Sequence, residues 1–128
     1  MNIKTIMFGG VALALCGAAT AVYAHHSYAM FDESTKQTLE GVVTEFQWTN
    51  PHGWIHVEVP DAQGETVVWS IESGAPAGMA RQGWRPTTIG PGDEIEITFH
   101  PLRNGNPGGS YMSVTLPDGT VMGNPELD

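Results

Sequence analysis

Cysteine and positive charge are what this sequence has least of. Its single cysteine, Cys16, lies inside an apolar N-terminal run, so the remainder of the chain has no second thiol with which to close a disulfide. Lysine and arginine together number 5 against 14 aspartates and glutamates. That balance repels a phosphate backbone and argues against a nucleic-acid partner, while favouring cations or basic partners. Also missing are a serine-nucleophile motif, a glycine-rich phosphate loop and a haem-attachment cysteine pair. The residues therefore lean away from an enzyme of those classes.

The apolar run extends from Ile6 to Val22, follows Lys4, is broken by Gly9, Gly10 and Gly17, and closes on Val22-Tyr23-Ala24. Small residues at the positions that signal peptidase reads make residues 1–24 a signal peptide rather than a retained membrane helix. Leu13 three before Cys16 faintly suggests a lipoprotein site, but Leu15 is too large for the residue preceding a lipidated cysteine. The expectation is a periplasmic or secreted protein with no stable membrane span after processing. Cleavage after Ala24 removes Lys4 as well as Cys16, and the formal charge moves from −9 to −10. What is left suits one small domain, held in an oxidising compartment by its core alone.

Residues 25–37 read as an N-terminal arm, with Tyr28, Met30 and Phe31 packing on the body of the domain. Period-two alternation then predicts strands near 38–48, 52–59, 66–71, 94–100 and 110–116. Gly41 interrupts the first and reads as a bulge or bend that curls the sheet. Pro76 to Gln82, with proline in its first turn and Gly83 just past its end, predicts a short helix with Met79 inward. Asn50-Pro51, Pro60 to Gly64, Pro91-Gly92-Asp93 and Pro117-Asp118-Gly119 supply the turns. Three strands, a helix and two strands over residues 38–119 match the order of the OB-fold, a small five-stranded Greek-key barrel. An immunoglobulin-like sandwich needs about seven strands. Residues 120–128 read as a loose C-terminal tail.

The chemistry-bearing residues are histidines. Processing after Ala24 would make His25 the first residue, and its free α-amino group and imidazole can then close a chelate ring on one metal ion. A further imidazole completes a T-shaped, three-nitrogen site, a histidine brace. Nitrogen donors in a tetragonal array favour Cu(II), which also heads the divalent affinity series. The candidate metal ligands are His25, His26, His52 at the mouth of the second strand and His100 at the end of the fourth. His52 and His100 adjoin prolines that stiffen their loops. His56 falls mid-strand and is read as packed against an aromatic neighbour. A carrier or sensor of copper follows from these residues. A copper monooxygenase would use the same ligands and also needs an open substrate face.

Another class of function competes with the metal reading. Trp48, Trp54, Trp69 and Trp84 fall close together, and a Trp-rich face could serve a non-enzymatic module that binds a peptide, glycan or envelope protein partner. Asp32, Glu33, Glu94 and Glu96 form paired acids, read as a solvated acidic face.

Several linked motifs carry a resemblance. They are His25-His26-Ser27-Tyr28-Ala29-Met30-Phe31-Asp32, the turn Trp48-Thr49-Asn50-Pro51-His52-Gly53-Trp54, Arg81-Gln82-Gly83-Trp84, Pro91-Gly92-Asp93, His100-Pro101-Leu102-Arg103-Asn104-Gly105, and Val114-Thr115-Leu116-Pro117-Asp118-Gly119. Together they resemble an uncharacterised family of secreted bacterial proteins, a domain of unknown function. The resemblance implies export and a small β domain, and implies no established activity.

Overall fold

The computed structural model describes residues 29–126. In chain order these form β1 (Gln37–Gln47), β2 (Trp54–Pro60), β3 (Thr66–Glu72), α1 (Pro76–Arg81), β4 (Glu94–Pro101), β5 (Gly108–Thr115) and β6 (Val121–Gly123). The strands run β3-β2-β1-β4-β5-β6 across one sheet, and a parallel pairing of β3 with β5 closes the first five into a barrel. This is the OB-like architecture that the strand order predicts, with its one short helix between β3 and β4.

Alternation explains which way each strand faces. Ile55 and Val57 on β2, Ile71 on β3, Ile95, Ile97 and Phe99 on β4 and Val114 on β5 all point into one core. From α1 and the turn after it come Met79 and Trp84, both almost fully buried. Pro76 opens the helix, where its missing N–H is not needed, and Gly83, at φ +95°, turns the chain out of it. That stop lets the backbone of Trp84 donate to the carbonyl of Met79 at 3.1 Å and tucks the indole under the barrel.

β1 curls between two neighbours, pairing with β4 through Gln37–Val42 and with β2 through Val42–Gln47. The register slip lies between Val43 and Glu45, so the bulge is not at Gly41. Gly41 instead marks where β1 crosses closest over β2, since a Cβ there would lie 2.6 Å from Val57 Cγ1 and closer still to the Glu58 carbonyl oxygen.

Residues 121–123 are not loose. They form β6, which pairs with Ser113–Thr115 of β5, and beyond them Asn124 donates its N–H to the Met112 carbonyl at 3.1 Å. A three-residue strand after a Pro-Asp-Gly turn has too little length to show a period, and only the open edge of β5 makes it a strand. β3 occupies that same edge at Gly108–Ser110. Between the two pairings, at Tyr111, the edge of β5 is uncovered by either strand.

The arm is anchored by a bridge between Phe31 and Leu102. Of the apolar residues expected to pack there, Phe31 is buried, Met30 is 48% exposed, and Tyr28 lies outside the described residues. Among the described residues no helix is long and apolar enough to cross a membrane.

Candidate functional site

The uncovered stretch of β5 opens onto a cavity of about 850 Å³, within the range usual for small-molecule sites. Glu72, Ser110 and His100 line one side of it, and Phe31, Met79 and Tyr111 contribute its apolar walls. Register explains the first group. Glu72 pairs with Ser110 across the β3–β5 seam, and Ser110 pairs with His100 across β5–β4. Direct partners share a face, so the three side chains stand in a row on the outside of the barrel, successive strands being about 4.8 Å apart.

His52 joins that row from the β1–β2 loop. The loop contains the cis Asn50–Pro51 bond. It is tied to the chain leaving β3 by two backbone hydrogen bonds, Gly53 N–H to Gly74 O at 3.2 Å and Ser73 N–H to Gly53 O at 2.9 Å. Gly53 has no room for a side chain, because a Cβ would lie 2.6 Å from both Gln47 O and Ser73 Oγ. Thr49 Oγ1 also donates to the His52 carbonyl at 3.0 Å. These ties bring the imidazole against the end of β3, where its Nδ1 contacts Glu72 Oε1.

His100 is held from the arm. Its Nδ1 lies 2.8 Å from the Thr35 carbonyl oxygen. The arm is fixed there by Asp32 N–H to Pro101 O at 2.8 Å, Arg103 N–H to Met30 O at 2.9 Å and Arg103 Nε–H to Ala29 O at 3.1 Å. Asp32 itself accepts hydrogen bonds from the Ser34 and Thr35 hydroxyls and the Ser34 N–H, and these hold its carboxyl below the ordinary range.

The two histidines are therefore held in the same tautomer when neutral. A carbonyl oxygen and a carboxylate can only accept, so the neutral ring in each case carries its proton on Nδ1. Nε2 of each ring keeps its lone pair, and among the described residues neither Nε2 has a hydrogen-bond partner. A ring with Nδ1–H given to oxygen and Nε2 unused is the usual arrangement of a metal-binding histidine.

His25 and His26 lie outside the described residues. Among the described residues, no three His, Cys, Asp or Glu side chains gather to hold a metal ion. His56 is engaged elsewhere, 2.9 Å from Ser70 Oγ through Nδ1 and stacked on Trp54 at 6.4 Å. Trp84 is in the core, Trp48 and Trp69 pack against it, and Trp54 alone of the four stands on the outer face of β2. Trp84 Nε1–H donates to the Tyr111 hydroxyl at 3.1 Å on the cavity wall, and burial there pushes the Tyr111 phenol up. Glu94 and Glu96 line a separate, shallow groove with Glu40.

Sequence reasoning missed Glu72 and Thr35. Glu72 has a signal in retrospect: a meander of β2 and β3 around the 61–64 turn pairs Trp54 with Glu72, one step from the His52 loop. Thr35 has none, since its use depends on where the arm lies.

No curated protein and no solved structure matches the chain. A family match runs over residues 13–111 and takes in the arm, the His52 loop, Glu72 and His100. By the length of that match the chain belongs to DUF6152, a family of unknown function.

Proposed function

We propose that the protein is exported, is processed after Ala24, and binds a metal ion, Cu(II) first, as a periplasmic carrier or sensor. The observation that supports this reading is the pair of histidines on one cavity, His52 and His100, each with Nδ1 tied to an oxygen and with no partner for Nε2 among the described residues. Two imidazoles are too few for a tight site, and the processed N-terminus supplies the rest. His25 is four residues before Ala29, so at most about 14 Å of chain separates them. Ala29 is itself held to Arg103 beside the end of β4, so a brace formed by the His25 amine and ring lies within reach of the cavity. His26 is the alternative imidazole on the same segment. All the donors are nitrogens, which favours copper over calcium or magnesium. Protons compete for the same lone pairs, so binding weakens as the pH falls.

The test is a Cu(II) competition titration at fixed pH on four proteins: the mature chain beginning at His25, the same chain with one residue added before His25, His52→Ala and His100→Ala. The extension and both substitutions are expected to weaken binding strongly. Equal affinity in all four would overturn the proposal.

A further inference from the structure

We infer that Glu72 is a positioning residue that orients His52 toward a bound metal ion, a role that rests on the copper reading above. Among the described residues that line the cavity Glu72 is the one acidic residue, and its side chain is only 17% exposed. Its backbone is held on both sides, by Trp54 of β2 and Ser110 of β5, so the carboxylate starts from a fixed point. His52 is on a loop, and its main-chain ties fix where the ring begins but not how it turns. The contact between His52 Nδ1 and Glu72 Oε1 supplies that orientation. It holds the tautomer with the proton on Nδ1, leaves the Nε2 lone pair for a cation, and makes the ring a stronger donor. His100 has only a neutral carbonyl in the same place. The two imidazoles are thus graded, with His52 backed by a charge and His100 by a dipole.

The experiment uses the mature protein beginning at His25, with Cu(II) competition titrations and frozen-solution electron paramagnetic resonance spectra. Glu72→Gln is expected to weaken Cu(II) binding about 10- to 100-fold and to shift the copper hyperfine splitting. In a His52→Ala background the same substitution should change neither quantity, because the carboxylate acts only through that ring. An unchanged affinity and spectrum for Glu72→Gln alone would overturn the inference. So would an equal further loss in the His52→Ala background, which would make Glu72 a direct ligand or a structural support. Should Glu72→Gln fail to fold, Glu72→Asp, one methylene shorter, gives the same comparison in both backgrounds. Wild-type mature protein that takes up no Cu(II) would remove the proposed function and this inference together. Wild-type binding with a neutral Glu72→Gln removes this inference alone.

Discussion

Glu94 and Glu96 on β4 and Glu72 at the end of β3 all point out of the barrel, yet among the described residues only Glu72 of the three makes an ion pair. Glu94 and Glu96 alternate with Ile95 and Ile97, and that alternation accounts for them completely. Glu96 even pairs directly with Glu40 of β1, a like-charge juxtaposition that is tolerable because both are in water. Among the described residues their carboxylates make no hydrogen bond or ion pair. At the other region, Glu72 and His100 also occupy outward positions, but each meets a group from a distant part of the chain, His52 and Thr35. Outward alternation produces a charged surface. A site additionally needs loops and an arm pinned across strand ends.

That comparison can be broken at its glycines, where the largest effects are expected. Gly41 is on the floor of the acidic groove and Gly53 is beside the cavity, and neither has space for a Cβ. Gly41→Ala and Gly53→Ala should each cost about 1–3 kcal/mol in denaturant unfolding, as overpacking does. Only Gly53→Ala should also weaken Cu(II) binding by the folded protein, since it pushes the His52 loop from Ser73. A similar affinity loss for both would erase the distinction between the two regions.

Asp32 tests the arm, with a smaller effect that depends on pH. Its hydrogen bonds to Ser34 and Thr35 hold its folded pKa below the ordinary 3.8. A depressed carboxyl stabilises the fold fully above its unfolded value and loses that contribution as pH falls through the folded one. The stability difference between wild type and Asp32→Ala should therefore be constant near neutrality and shrink only below about pH 3.8. Urea unfolding at a series of pH values measures it, and a gap that persists unchanged in strong acid would refute the assignment. Because Thr35 also holds His100, Asp32→Ala should lower Cu(II) affinity at neutral pH.

The smallest effect belongs to the groove. Glu94→Gln and Glu96→Gln should each alter stability by no more than about 0.5 kcal/mol, as exposed substitutions usually do. Their Cu(II) affinity should match wild type in the same titration. A marked loss in either would show that the acidic groove takes part in binding after all.

How much of this was legible varies with how local its cause is. The strands, the inward Met79 and the outward His100 were readable because burial repeats with the period of the backbone, two in a strand and 3.6 in a helix. Strand order together with the single helix was enough to name the barrel. At Gly41 the sequence left a bulge or a bend open; the bulge fails because the register slip lies between Val43 and Glu45, whereas β1 does pass from β4 to β2 at Val42, and only the partner strands show this. β6 was missed because its cause is the edge of β5.

By itself, then, the sequence determined a small, disulfide-poor, acidic β barrel and which residues could bear chemistry, because composition and alternation act over a few neighbouring positions. The tertiary structure alone decided that His52 meets Glu72, twenty residues on, and that His100 meets Thr35, 65 residues back. It also decided that β6 completes the wall of a cavity between them and α1. These contacts depend on register and barrel closure. Alternation decides which face each side chain takes, but which residue of another strand or loop stands beside it follows only once the barrel has closed.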